Sequence, residues 1–176
     1  MVGEVLNGDY DYVAGYQGQA LPATLGYPNF FKLRDIFKSN GQASMWSLRD
    51  HFYKMKVFPD QSILGNFMDN HDQVRFLYYE SNVNIYKNAL TFILAQEGIP
   101  IIYYGTEQLY HGGNDPDDRE PLWTDMNPQS DMYKWLTLVI KYRKKMHWWQ
   151  FQQIERYAEN SFYSFSRGLT LLAFTN

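Results

Sequence analysis

Two apolar runs bracket a helical stretch in this chain, and that order limits what it can fold into. The first run, Ser62 to Met68, stops at the polar cluster Asp69-Asn70-His71-Asp72. A helical pattern follows from about Asn82 to Gln96, then a second run, Gly98-Ile99-Pro100-Ile101-Ile102-Tyr103-Tyr104-Gly105. Strand, helix, strand in this order joins parallel strands through a right-handed crossover. In folds built from such units, chemistry gathers just past the carboxyl ends of the strands. Asp69, Asn70, His71 and Asp72 therefore stand where an active site belongs, and their carboxylates are candidate catalytic groups.

The flanking segments extend this pattern. Val2 to Leu6 reads as the tail of a strand, with Glu4 near its end and the turn formers Asn7, Gly8 and Asp9 after it. Tyr10 to Thr24 reads as loop, and a short strand is expected near Leu25-Gly26-Tyr27, ending at Pro28. Apolar spacing predicts a helix over Asn29 to Lys38, closed by Ser39-Asn40-Gly41, and a second over Ser44 to Lys56. After the second apolar run, His111 to Asp125 is rich in Gly, Asn, Asp and Pro and reads as loop. Ser130 caps a long helix over Asp131 to Met146. From Trp148 the pattern changes. Ser161 to Ser166 and Leu169 to Phe174 read as two strands of a hairpin around Arg167-Gly168. A boundary near Gln150 is expected, dividing the chain into residues 1–150 and 151–176.

Composition removes several function classes. Net charge is only -3, and no basic block runs along any segment, so no nucleic-acid partner is expected. No apolar stretch approaches the roughly 20 residues that span a bilayer, so no membrane partner is expected. Cysteine is absent, which excludes disulfides, thiolate nucleophiles and cysteine-based zinc sites within these residues. His51, His71, His111 and His147 are scattered without the spacing zinc requires. The start, Met1-Val2-Gly3-Glu4, shows no signal-peptide pattern. Aromatic residues make up 18% of the chain; most fill a core, while exposed ones suit the C–H faces of sugars.

Four segments carry a resemblance. They are Gly3-Glu4-Val5-Leu6-Asn7-Gly8-Asp9, Phe67-Met68-Asp69-Asn70-His71-Asp72, Gly98 to Gln108, and Gly112-Gly113-Asn114-Asp115-Pro116-Asp117-Asp118-Arg119-Glu120. In order and spacing the chain resembles the alpha-amylase family of glycoside hydrolases, most closely the fungal and protist members. The resemblance implies an α/β fold: the C-terminal half of a (β/α)8 barrel, from the end of its fifth strand, followed by the start of a small antiparallel β domain. It implies retaining endo-hydrolysis of α-1,4-glucosidic bonds in starch or glycogen.

Retaining glycosidases use two carboxyl groups roughly 5–5.5 Å apart, one a nucleophile and one a proton donor that later activates water. The resemblance makes Glu4 the acid/base and Asp72 a further carboxylate that stabilises the oxocarbenium-like transition state. It makes His71 a donor to sugar hydroxyls. Asp115 and Arg119 contact the neighbouring sugar on the non-reducing side, or serve as an ion pair that fixes the loop, and Gly8 offers backbone to the acceptor side. Asp69 and Glu107 receive no catalytic role.

The departure from the family is large. Its nucleophilic Asp lies on the fourth strand, upstream of Met1, together with the Arg two residues before it and most of a structural calcium site. Calcium is thus expected in the complete protein, with no cofactor held within these residues. The fungal cysteines near Gly15 and Phe58 are absent as well. These 176 residues alone are therefore not expected to hydrolyse starch or to close a barrel. The partner is an α-glucan or maltooligosaccharide, and the complete protein is expected to be a monomer, its destination open between secretion and a lysosome- or vacuole-like compartment. The alternative is a non-catalytic amylase-like module that binds glucan or acts as an interaction subunit. Within the enzyme class, a transglycosylase or an alpha-glucosidase stays open.

Overall fold

A computed structural model describes residues 1–38 and 42–175 of the 176. Four short strands run parallel in sequence order. β1 (Val2–Gly3) pairs with β2 (Ala23–Thr24), and β3 (Gly65–Asn66) pairs with β4 (Ile99–Pro100). A parallel bridge from Leu25 to Gly65 joins the two pairs, so the ladder reads β1-β2-β3-β4. Helices fill the connections: α1 (Tyr10–Ala14), α2 (Tyr27–Phe37), α3 (Trp46–Lys54), α4 (Phe76–Tyr79) and α5 (Val83–Ala95), with α6 (Asp131–Lys145) after β4. The chain ends in an antiparallel meander of β5 (Gln153–Ala158), β6 (Phe162–Arg167) and β7 (Thr170–Thr175).

Several expectations need correction. The Tyr10–Thr24 segment is not all loop: Asp9 caps α1 by accepting from the Tyr12 amide at 2.8 Å. Five residues are too few for an apolar period to show. The strand expected at Leu25–Tyr27 lies earlier, at Ala23–Thr24, and Tyr27 already begins α2. Pro28 stands in the first turn of that helix, where its missing N–H costs nothing. The apolar runs from Ser62 and Gly98 are mostly irregular, each pairing over only two residues, and Gln61–Ile63 forms a 3-10 turn. Pro100 has no N–H to donate, and the ladder to β3 needs none from it: the amides of Ile99 and Ile101 on either side donate to the carbonyls of Leu64 and Asn66 at 2.8 and 2.7 Å. β5 was not anticipated. The closing turn expected at Ser39-Asn40-Gly41 lies outside the described residues.

One core serves both the helices and the meander. Leu33 and Phe37 of α2, Leu48 of α3, Phe92 and Leu90 of α5, and Met132 and Leu136 of α6 join Tyr163, Phe165, Leu172 and Phe174 of the sheet. Phe92 is the shared contact, with ring centres 5.6 Å from Phe165 and 5.1 Å from Phe174. Burying each such phenyl ring contributes about 1.5–3 kcal/mol.

Two buried polar groups sit against this core and shape the loops. Asp69, just past β3, is sealed between α2 and α5. It accepts from Arg34 at 3.3 Å, from the Phe76 amide at 2.7 Å and from the Tyr86 hydroxyl. Arg34 also donates to the carbonyls of Met68 and Val74, at 3.1 and 2.7 Å. Burial acts to raise the Asp69 carboxyl and to lower the Arg34 guanidinium, and each charge opposes the other's shift. His51 is the second group. Its Nε2 donates to Asn29 Oδ1 at 2.7 Å and its Nδ1 accepts from the Tyr10 hydroxyl at 2.9 Å, tying α1, α2 and α3 together around a neutral ring. Burial, with Lys32 and Lys54 nearby, pushes its pKa down to about 3.

Two measurements follow from this packing. Asp69→Ala strands a buried guanidinium, and denaturant unfolding should show a loss of about 3–5 kcal/mol. His51 charges in the unfolded chain near 6.5 but resists charging when folded, so its stability contribution is intact above 6.5 and declines as pH falls toward 3. Unfolding midpoints recorded across that window should fall, and His51→Gln should flatten the fall.

Candidate active site

The carboxyl ends of the parallel strands carry the residues the sequence singled out. Glu4 leaves β1 exposed to solvent. Its Oε1 accepts from the Tyr27 hydroxyl at 2.6 Å, and that same hydroxyl accepts from Asn70 Nδ2 at 2.9 Å. Tyr27 is itself buried, at the start of α2, packed against Phe30 and Phe67. Burial first, then the Glu4 carboxylate, push its phenol well above the ordinary value, so it stays a donor. A three-residue relay thus joins the end of β1 to the loop after β3.

That loop presents Asp72. Its amide donates to Asn70 Oδ1 at 3.3 Å. Asp72 Oδ1 lies 3.4 Å from His71 Nε2 and 3.6 Å from an Arg119 guanidinium nitrogen. Arg119 Nε donates to the His71 carbonyl at 3.0 Å and lies 3.2 Å from Asp115 Oδ1. His71, Asp72, Asp115 and Arg119 therefore converge from two loops, 48 positions apart between His71 and Arg119. All four side chains are between 41% and 58% exposed. Ion pairs this wet contribute only ~0–1 kcal/mol to stability. Their polar atoms remain open to a ligand.

Gly8 stands apart from this hydrogen-bonded cluster. It is exposed in the turn after β1, where an added Cβ would sit 3.3 Å from the Phe31 ring. Phe31 in turn lines a cleft of about 330 Å³ together with Arg34, Asp35, Asp72, Tyr79 and Asn114. Glu107, which received no role, lies in a 3-10 turn and its carbonyl accepts from Ser130 at 2.9 Å.

The 111–120 loop is held by a second buried arginine. Arg75, with no exposed side-chain surface, donates to Glu120 at 2.6 Å, to the Asp118 carbonyl at 3.0 Å and to the Tyr104 carbonyl at 2.9 Å. Its guanidinium lies 4.4 Å from the Tyr103 ring centre. The other oxygen of Glu120 accepts from the amides of His111 and Gly112, at 3.0 and 2.6 Å. Gly112 permits this closure: a Cβ there would lie 1.7 Å from the Asp117 carbonyl oxygen.

Sequence reasoning missed Tyr27, Arg34 and Arg75 as the fixing groups. Tyr27 was read as the end of a strand. Arg34 stands between Phe30 and Phe37 on the apolar stripe of its helix, but the stripe does not say what a charge there would pair with, and nothing in the spacing around Arg75 marks it as buried. Among the described residues, no group of three His, Cys, Asp or Glu side chains is arranged to hold a metal ion. No described helix is long and apolar enough to cross a membrane.

The comparisons with known proteins agree on one family. Residues 1–171 match the family described as Alpha amylase, catalytic domain. Alpha-amylase 1 of Lipomyces kononenkoae is 40% identical over 144 residues, covering 81% of this chain and 23% of that protein. The Beta/alpha-amylase of Paenibacillus polymyxa is 36% identical, covering 94% of this chain and 14% of that protein. An alpha-amylase structure from Malbranchea cinnamomea superposes with a TM-score of 0.92 at 33% identity, covering 99% of this chain and 38% of that one. The alpha-amylase of Geobacillus thermoleovorans, solved with acarbose, superposes with a TM-score of 0.84 at 26% identity, over 98% of this chain and 40% of that one. The chain spans well under half the length of each of these relatives. On the match over residues 1–171 and the shared architecture, these 176 residues belong to the alpha-amylase family, within its catalytic domain.

Proposed function

We propose that this chain is the carboxyl-terminal half of a retaining (β/α)8 glycosidase barrel with the start of the β domain that follows it, and that the complete protein cleaves α-1,4-glucosidic bonds within starch or glycogen. The observation that carries the reading is the relay from Glu4 through Tyr27 to Asn70, which couples the candidate acid to the loop of Asp72. The outer edges of β1 and β4 also support it. Val2 and Ile99 are 55% and 50% exposed there, as strands awaiting neighbours would be.

In this reading the mechanism runs as follows. Tyr27 occupies Glu4 Oε1, so Oε2 is the oxygen that carries the proton to the leaving glycosidic oxygen. A nucleophilic carboxylate from a part of the barrel outside these four strands attacks the anomeric carbon and forms the glycosyl-enzyme. Glu4 then takes a proton from water, which attacks the same carbon and releases the sugar with its configuration retained. Asp72 lies near the ring where positive charge develops, and His71 donates to hydroxyls of the same sugar. Arg119 and Asp115 hold the next sugar toward the non-reducing side, and Gly8 meets the acceptor side. No step runs through calcium.

Tests separate the readings. The 176-residue chain alone should release no reducing sugar from starch. Joined to the amino-terminal part of the family's barrel, it should hydrolyse starch, and Glu4→Gln should lower the rate by roughly 10²–10⁴. An unchanged rate rejects the assignment of Glu4. Glucan binding without hydrolysis in the joined protein would instead favour a non-catalytic binding module. Arg119→Ala should raise KM for maltooligosaccharides more than it lowers kcat, because it holds a sugar that is not reacting; a fall confined to kcat would contradict that role.

A further inference from the structure

Asn7 and Gly8 lie in the turn between β1 and α1, just past Glu4. Gly8 belongs to neither element and is exposed. Asn7 Oδ1 accepts from the Asp9 amide at 2.8 Å, and the Asn7 amide donates to the Val5 carbonyl at 2.9 Å. The Asn7 side chain thus curls forward along the chain, over the Gly8 nitrogen that lies between.

The pair is arranged to react with itself. Gly8 has no Cβ to shield its nitrogen from the Asn7 amide carbon. Among the described residues the Gly8 N–H donates to no group, so no structural bond has to break before the nitrogen turns toward Asn7. The Asp9 amide sits on Asn7 Oδ1, where negative charge develops as the nitrogen attacks, and it polarises that carbonyl in advance. Asn7 Nδ2, the leaving group, is likewise without a hydrogen-bond partner among the described residues. Asn29 is the contrast. It is fully buried within α2, it precedes Phe30, and its Oδ1 is bound to His51.

We propose that Asn7 is a self-modification site, where the Gly8 nitrogen attacks Asn7 Cγ and the residue converts to aspartyl and isoaspartyl forms. The new N–Cγ bond closes a cyclic imide. The Cγ–Nδ2 bond breaks, and Nδ2 leaves as ammonia with the proton given up by the Gly8 nitrogen. Water then adds to one imide carbonyl. Cleavage between the nitrogen and Cγ leaves an ordinary aspartyl residue at position 7. Cleavage between the nitrogen and the α-carbonyl carbon leaves the main chain running through Cγ, one methylene longer between Glu4 and Asp9. Both products add a carboxylate to the turn after β1. The longer one also displaces Asp9, which caps α1. None of these steps depends on the glycosidase reading.

Incubation of the 176-residue chain in mildly alkaline buffer, then trypsin digestion and mass spectrometry, tests the proposal. The peptide ending at Lys32 carries both Asn7 and Asn29, while Asn40, which also precedes a glycine, falls in a separate peptide between Lys38 and Arg49. The mass gain of an amide becoming an acid should appear at Asn7 and not at Asn29. It should grow faster as pH rises, since the attacking nitrogen must lose its proton. Electron-transfer fragmentation should show the isoaspartyl linkage at position 7. The folded chain should react at Asn7 at least as fast as the chain unfolded in guanidinium chloride, and Gly8→Ala should slow the gain by about tenfold or more. Slower gain at Asn7 in the folded chain than in the unfolded one overturns the proposal, because the turn then protects the residue. A gain confined to Asn29 or Asn40, or one at Asn7 that a folded Gly8→Ala variant leaves unchanged, overturns it too. If Gly8→Ala does not fold, the comparison of folded with unfolded parent chain decides.

Discussion

The pairing of Arg34 with Asp69, sealed between α2 and α5, governs the shape of the functional end of the molecule. One guanidinium holds two carbonyls and a carboxylate of the loop after β3, and the same carboxylate caps the amide of Phe76. A charge buried this deeply is tolerated only when its partners are fixed. The requirement runs both ways, because the bonds that satisfy the pair also tie down the path of the loop. Asn70, His71 and Asp72 are presented to solvent by that path. Arg75 imposes a similar constraint on the 111–120 loop through Glu120 and two carbonyls.

The contrast between the two layers of charge explains how the site is built. Arg34, Asp69 and Arg75 are buried, and their bonds fix the two loops that carry the exposed residues. His71, Asp72, Asp115 and Arg119 are exposed and bonded mainly to one another. Loops positioned by a rigid scaffold commonly carry function in this way. Tyr27 belongs to both layers. Its ring is packed among Phe30 and Phe67 while its hydroxyl links Glu4 to Asn70, so core packing sets the position of the candidate acid.

The antiparallel meander is bound to this arrangement through the core. Phe92 of α5 touches Phe165 and Phe174 of the meander. Arg167, at the end of β6, reaches back to the carbonyl of Ala95 at the end of α5. The change in backbone style after Trp148 is therefore not a break in packing. It creates a crevice beside Trp149 and Phe151, at the end of the strands away from Asp72.

Much of the fold could be read from local pattern. α5 and α6 have long apolar stripes; Ser130 caps α6 through its side chain as expected, and Asn82 caps α5 in the same way. The hairpin of β6 and β7 turns on Gly168, whose φ of 58° suits a residue without a Cβ. The short elements were less legible. α1 is five residues long, and β1 to β4 pair over two residues each, too few for any period to develop. β5 alternates weakly, with a register shift between Glu155 and Tyr157, and left no clear trace.

By itself the sequence determined the longer elements and their order, the absence of thiol chemistry and the four motifs that place the chain in its family. Each of these depends on neighbours along the chain or on which residues are present. Only the tertiary structure decided that Tyr27 stands between Glu4 and Asn70, that Arg119 reaches Asp72, and that Arg34 and Arg75 are buried struts rather than surface charges. Those facts depend on contacts between residues 23 to 48 positions apart, and a side chain's role there is set by what surrounds it in space, which no local spacing encodes.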